Sequence, residues 1–89
     1  MIKKPITIRI SNGLEARPVA MLVQVASQYE SESYVESGNR KVNAKSIMGM
    51  MTLGLDNGED ITIVANGGDE QEAIDGIEEY LTNPEKQSK

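Results

Sequence analysis

The chain has 89 residues, of which 38% are hydrophobic, and its three aromatic residues are all Tyr. This length and composition are sufficient for one domain, residues 1–89, with a modest core of Ile, Val, Leu, Met and Ala. The absence of cysteine and histidine excludes disulfides, thiolate metal sites, a His general base, a phosphohistidine and any His metal ligand. The formal charge is −5, the basic residues are scattered, and there is neither an apolar run of roughly 18 residues nor a signal-peptide core. We therefore expect a cytoplasmic protein without direct nucleic-acid binding or membrane insertion.

The first predicted elements are a strand and a helix. Ile6, Ile8 and Ile10 alternate with polar residues, which is typical of a strand with one buried face, and the turn residues Ser11-Asn12-Gly13 end it. From Ala16 to about Tyr29 the apolar residues follow the helical period. The core-facing arc of this helix consists of Val19, Leu22, Val23 and Ala26.

A hairpin and a short helix come next. Strands are predicted from about Glu32 to Glu36 and from Arg40 to Asn43, joined by the turn signal Gly38-Asn39. Ser46 suits the N-cap of a short helix, because its hydroxyl can accept a bond from a free backbone N–H of the first turn. This helix is predicted from Ile47 to about Leu53.

The C-terminal third is predicted to hold a strand and a helix. After the turn Asn57-Gly58, the alternating residues Ile61, Ile63 and Ala65 indicate the strand. Asp69 and Glu72 resemble a capping box at the start of the last helix. The apolar arc of that helix consists of Ala73, Ile74, Ile77, Tyr80 and Leu81. Asn83-Pro84 ends it, and about 83–89 is expected to be a frayed tail.

The resulting order, β-α-β-β-α-β-α, predicts an α+β fold. Four short strands and three helices hide one sheet face most simply when all the helices pack on the same side. We therefore predict an open-faced two-layer sandwich, with a four-stranded antiparallel sheet and three helices on one face.

The middle helix has two apolar arcs. Ile47, Met48 and Met51 share one arc, and Met50 and Leu53 share another. A helix that lies on one face of a sheet buries only one of them. The other arc is either a partner-binding surface, which suits Met because its thioether adapts to different shapes, or is covered by helix ends and loops.

The start of the first helix offers a second candidate surface. Arg17, Met21 and Gln24 lie roughly opposite the core arc, so an outward Met lies beside an Arg that can pair with an anion. Glu15 precedes this helix, where a carboxylate interacts favourably with the helix dipole. Without further information, that structural role is sufficient to account for Glu15.

Ser46 has two compatible interpretations. As an N-cap it stabilises the helix by about 1 kcal/mol relative to Ala. As a phosphorylation site it would place a charge of about −1.5 to −2 beside Met48 and Met51 without unfolding the helix.

Two motifs resemble the HPr family, the small phosphocarriers of the bacterial sugar phosphotransferase system. Gly13-Leu14-Glu15-Ala16-Arg17-Pro18 resembles the active-centre signature of the family, which has His at the third position. Asn43-Ala44-Lys45-Ser46-Ile47-Met48-Gly49-Met50-Met51 resembles its regulatory serine motif. The predicted element order also matches, and the resemblance covers essentially the whole chain apart from the last few residues.

The resemblance implies a regulatory role more than phosphoryl transfer, because Glu15 stands where the family has its phosphohistidine. The Crh group of HPr paralogues also lacks this His, with Gln in its place, and keeps the serine motif. By resemblance, HPr kinase/phosphorylase would phosphorylate Ser46, and the product would bind a LacI-type regulator such as CcpA. By resemblance, the contact residues would be Arg17, Ile47, Met48 and Met51. Met21 is predicted to join them as the outward Met beside Arg17. Neither enzymatic activity nor a cofactor or metal site is expected.

Three further interpretations stay open. The chain could carry a phosphoryl group on Glu15, or dock as an accessory to enzyme I or enzyme II proteins through the retained loop. The carboxylate of Glu15 could mimic a phosphorylated histidine. An HPr scaffold with an unrelated partner is the third interpretation.

Overall fold

The computed structural model describes residues 1–9, 16–53 and 58–83, with residues 16–19 described as backbone only. The elements in chain order are β1 (Ile2–Thr7), α1 (Ala16–Ser27), β2 (Glu32–Ser37), β3 (Arg40–Asn43), α2 (Ile47–Leu53), β4 (Asp60–Asn66) and α3 (Glu70–Thr82). The strands form one antiparallel sheet in the order β1-β4-β2-β3, and the helices pack on one face of it. The predicted fold class, an open-faced α+β sandwich, is confirmed.

The core lies between the helices and one face of the sheet. Alternate residues of β4, Ile61, Ile63 and Ala65, point towards the helices and are buried. The predicted arc of α3 is buried along its whole length, and Leu22, Val23 and Ala26 of α1 are buried as predicted. Val19, the fourth residue of that arc, lies among the residues whose side chains are not described.

The β2–β3 hairpin closes with the two-residue turn that the sequence predicts. Ser37 pairs with Arg40, and Gly38 between them has φ +60°. A positive φ is accessible to Gly without steric cost, which explains the residue type at this position.

The first strand differs from the prediction. It begins at Ile2 and ends at Thr7, whereas the alternation of Ile6, Ile8 and Ile10 placed it later in the chain. β1 is an edge strand that pairs only with β4, so Pro5, which lacks an N–H group, is tolerated within it. After Thr7, the N–H of Ile8 donates to the carbonyl of Glu59 (2.9 Å) and the carbonyl of Ile8 accepts from the N–H of Gly58 (2.7 Å). The N–H of Arg9 then donates to the carbonyl of Leu81 at the end of α3 (2.8 Å). Ile8 is fully buried after the strand, and Ile10 is outside the described residues.

The predicted capping box of α3 was wrong. Asp69 occupies the N-cap position, but its carboxylate makes no capping bond to the helix. It accepts instead from the backbone N–H groups of Glu30 (2.9 Å) and Ser31 (2.9 Å) and from the Ser31 hydroxyl. These donors lie in the α1–β2 connection, so the carboxylate joins two loops instead of closing its own helix. Glu72, the second residue of the predicted box, is exposed.

The same two loops approach each other closely at Gly67. A Cβ added to Gly67 would lie 2.6 Å from Oγ and 2.7 Å from Cα of Ser31, which is closer than real Cβ contacts. The absence of a side chain therefore allows the β4–α3 connection to pack against the α1–β2 connection, where Asp69 reaches its donors.

Candidate functional site

Ser46 is held at the start of α2 by a set of short-range hydrogen bonds. Its N–H donates to the carbonyl of Asn43 (3.0 Å), and its own carbonyl accepts from the N–H of Met50 (3.0 Å). Its hydroxyl accepts from the N–H of Gly49 at 3.2 Å, three residues into the helix. This is the geometry of an N-cap, as predicted from the sequence. The side chain is half-buried, so the hydroxyl lies at the boundary between the cap and the solvent.

The loop before Ser46 is held by one hydrogen bond within the loop and by another to the end of α1. The side-chain oxygen of Asn43 accepts from the N–H of Lys45 at 2.8 Å, which is a local turn interaction of Asn. The ammonium group of Lys45 donates to the carbonyl of Tyr29 at 2.7 Å, just beyond α1. No local pattern in the sequence indicates this contact of Lys45, because its partner lies 16 residues away.

α2 buries one of its two apolar arcs and exposes the other. Met50 is fully buried, and Leu53 is half-buried against the core. Ile47, Met48 and Met51 are 44%, 80% and 50% exposed. We call the side chains of Ser46, Ile47, Met48 and Met51 the Ser46 surface. Its exposure settles the geometrical question that the helical wheel raised, while its role in binding remains a prediction.

α1 packs against α2. Of the three residues predicted to face outward from α1, the structure describes the side chains of two. Met21 is 37% exposed and Gln24 is exposed, so both point away from the core. Arg17 belongs to the backbone of α1, but its side chain is not described, and Glu15 is outside the described residues. The predicted contributions of Arg17 and Glu15 to the candidate surface at the start of α1 therefore lie outside the described side chains.

The described groups with shifted pKa values lie elsewhere, on β1 and around α3. Hydrogen bonds from Ser31 and from the N–H of Glu30 hold the pKa of the Asp69 carboxyl below its usual range. The Gly67 N–H and the Met1 ammonium lower the pKa of Glu70. The Glu78 carboxylate, 2.8 Å from the ammonium of Lys4, raises the pKa of that group, and burial raises the pKa of Tyr80.

Other places on the molecule offer less chemistry. In the three described stretches, no group of three or more His, Cys, Asp or Glu side chains is arranged to hold a metal ion. No described helix has both the length and the apolar character that a membrane crossing requires. A shallow cleft between α1 and α3 is lined by Val25, Gln28, Tyr29, Gly76, Glu79 and Tyr80.

Comparison with known proteins decides the family. The family described as PTS HPr component phosphorylation site matches residues 2–83. The chain belongs to the HPr family. This confirms the resemblance that the two motifs suggested.

Crh proteins are among the most similar relatives of this HPr-family chain. It is 42% identical over 81 residues to the HPr-like protein Crh of Bacillus subtilis, which covers 91% of this chain and 95% of that protein. The identity to Crh of Halalkalibacterium halodurans is also 42% over 81 residues, covering 91% of this chain and 96% of that protein. The crystal structure of HPr-C-His from Thermoanaerobacter tengcongensis superposes with a TM-score of 0.86 at 46% identity, over 91% of each chain. Family and fold therefore agree, and the absence of histidine distinguishes this chain from a phosphocarrier that uses that residue.

Proposed function

We propose that this chain is a Crh-like regulatory protein of carbon catabolite repression, which acts by binding partner proteins and is switched by phosphorylation at Ser46. The observation that carries the proposal is the Ser46 surface itself, in which a half-buried hydroxyl directly precedes three exposed apolar side chains. The chain retains this surface although it has no histidine to carry a phosphoryl group. A protein-binding role fits these features better than catalysis, and we place it in the cytoplasm.

The physical basis of the switch is a local change of charge. A phosphate on Ser46 would add about −1.5 to −2 charges next to Met48 and Met51, and its oxygens can still accept from the N–H of Gly49. A partner that supplies basic side chains and an apolar pocket would then gain both ion pairing and apolar burial from one patch. The partners that fit by family are HPr kinase/phosphorylase, which adds the phosphate, and a CcpA-like transcriptional regulator, which reads it. Arg17 and Met21 would extend the contact along α1.

The first test is the intact mass of the protein after separate incubation with HPr kinase plus ATP and with enzyme I plus phosphoenolpyruvate. We expect one phosphate from the kinase and none from enzyme I. The variant Ser46→Asn keeps a capping oxygen but has no hydroxyl, so it should stay folded and unmodified. Ser27→Ala removes an exposed hydroxyl at the end of α1 and serves as the matched control, which should still gain the phosphate.

Binding to the regulator is measured next by titration calorimetry. The phosphorylated protein should bind at least ten-fold more tightly than the unmodified protein, which corresponds to about 1.4 kcal/mol or more. Unchanged affinity after phosphorylation, or phosphate transfer to Ser46→Asn, would contradict the proposal.

A second candidate function is phosphoryl transfer or docking in the phosphotransferase system. It is favoured by the motif Gly13-Leu14-Glu15-Ala16-Arg17-Pro18, which keeps every family feature except the His. A phosphate gained from enzyme I and lost in Glu15→Ala would establish a carrier. Binding of enzyme I or an enzyme II protein without transfer would establish an accessory.

A further inference from the structure

The five methionines of the chain lie in very different environments. Met50 of α2 is completely buried in the core, whereas its neighbours Met48 and Met51 are 80% and 50% exposed. Met21 of α1 is 37% exposed, and Met1 is 68% exposed at the start of β1. The chain has no cysteine, so the thioethers of these residues are its only sulfur atoms. Any two-electron oxidation at sulfur therefore takes place at methionine.

We propose that Met48 and Met51 are reversible oxidation sites, at which hydrogen peroxide converts the Ser46 surface from apolar to polar without unfolding the protein. A lone pair on the thioether sulfur attacks one oxygen of the peroxide, so an S–O bond forms and the O–O bond breaks. The proton of the transferred hydroxyl passes to the leaving hydroxide, which departs as water. The sulfur is oxidised by two electrons to the sulfoxide, and the peroxide is reduced. In the return step the S–O bond breaks and the oxygen leaves as water, while two thiols of a sulfoxide reductase supply two electrons and two protons and become a disulfide.

Selectivity follows from the access of the oxidant to the sulfur atom. Met48 and Met51 project from the outer side of α2, while Met50 is enclosed between that helix and the sheet. A sulfoxide is strongly polar and needs hydrogen-bond donors, which solvent supplies at positions 48 and 51. Because Met50 stays reduced, the contact of α2 with the core is unaffected. The surface changes its character while its backbone is held by the Ser46 cap and the Lys45–Tyr29 bond.

The consequence for binding rests on the proposed function, whereas the oxidation sites do not. Apolar patches bind partners through the area that they remove from water, and Met suits such patches because its side chain adapts to the partner. A sulfoxide in the same place has nearly the same size, but its oxygen loses its hydrogen bonds to water when a partner covers it. This loss disfavours binding. Oxidation would thus oppose whatever phosphorylation of Ser46 promotes, on the same surface and by separate chemistry.

The experiment begins with graded hydrogen peroxide and mapping of sulfoxides by peptide mass spectrometry. We expect the rate at Met48 to exceed that at Met50 by at least ten-fold, with Met51 also well above Met50. Equal rates at Met48 and Met50 would overturn the proposal, and so would loss of cooperative thermal unfolding in protein that is oxidised only at the exposed sites.

The change of surface character is measured by retention on a hydrophobic-interaction column. Oxidation should shorten the retention of the wild-type protein more than that of the Met48→Leu/Met51→Leu variant, which keeps the apolar surface and has no sulfur there. Met1 and Met21 remain oxidisable in this variant, so it controls for both. An equal loss of retention in the variant would show that the Ser46 surface is not responsible. The Met48→Gln/Met51→Gln variant should reproduce the oxidised wild type without oxidant.

The regulator gives the final measurement, on protein phosphorylated at Ser46. Oxidation should weaken binding of the wild type at least ten-fold. It should weaken binding of the Leu variant much less, because Met21 is then the one proposed contact residue that can still be oxidised. If the reduced phosphorylated protein does not bind a regulator, the proposed function fails, and the sulfoxide map and column retention still decide the inference. If reduced and oxidised protein bind equally, the expected effect of oxidation on binding is wrong and the proposed function stands.

Discussion

Two buried serines on either side of the start of β2 differ in one respect. Ser31 and Ser33 are each 1% exposed, but only the hydroxyl of Ser31 has a partner, the carboxylate of Asp69. Among the described residues, the hydroxyl of Ser33 is buried without any hydrogen bond. A buried polar group without a partner loses its hydration and gains nothing in return. We therefore expect Ser33→Ala to raise the free energy of unfolding by about 1 kcal/mol, as measured by urea denaturation.

Ser31→Ala is the matched control for this prediction, since it removes a hydroxyl of equal burial. Here the substitution deletes a hydrogen bond to Asp69, so the urea midpoint should fall instead of rise. If both variants shift the midpoint in the same direction, the difference in hydrogen bonding does not determine the stability of these positions.

At the scale of elements, the edge strand β1 is held by both an ion pair and a buried apolar side chain. It is tied to α3 by an ion pair between Lys4 and Glu78, whose atoms are 2.8 Å apart, and it buries Ile6 against the core. The ion pair is partly exposed, and such pairs contribute little to stability. We expect Lys4→Met to leave the urea midpoint almost unchanged. Ile6→Ala should lower the free energy of unfolding by about 3 kcal/mol. A larger loss for Lys4→Met than for Ile6→Ala would reverse this ranking.

The start of α3 introduces a dependence of stability on pH. The three hydrogen bonds that Asp69 accepts lower its pKa in the folded state, the bond from the Ser31 hydroxyl being the largest cause. A carboxyl with a depressed folded pKa stabilises the protein above its unfolded value of 3.8. This contribution is lost as the pH falls from there through the folded pKa. Below pH 3.8, the urea midpoint of the wild type should therefore drop more steeply than that of Asp69→Asn.

Glu72→Gln is the control for the loss of a carboxylate, because it removes an exposed one from the first turn of the same helix and leaves the hydrogen bonds of Asp69 in place. Parallel curves for wild type and Asp69→Asn would mean that the bonds to Glu30 and Ser31 do not favour the charged carboxylate.

For the whole molecule, the features that the sequence predicted correctly are those that depend on residues close to one another in the chain. The buried arc of α3, the cap at Ser46 and the separation of Met48 from Met50 each depend on residues within a few positions of one another. The helical period places Met48 and Met50 on different sides of a helix whatever the sheet looks like. The roles of Arg17, Met21 and the Ser46 surface in binding remain predictions, because they depend on a second molecule.

The features that the sequence did not predict depend on residues far apart in the chain. The early start of β1 places Lys4 and Pro5 in a strand, although neither residue favours one, because β4 supplies the pairing and α3 supplies Glu78. Asp69 was assigned to a cap because Glu72 follows it by three residues. Its true donors lie 38 and 39 residues earlier, which no local pattern reveals.

The order of the strands in the sheet has a consequence for synthesis of the chain. Among the four strands of this sheet β1 is made first, yet its partner is β4, so Ile2 pairs with Ala65 and Thr7 with Asp60. At about 5–20 residues per second, the ribosome needs several seconds to reach β4 after β1 is complete. The hairpin of β2 and β3 can close in that interval, whereas β1 has nothing to pair with. The strand that is translated first is thus among the last to find its place.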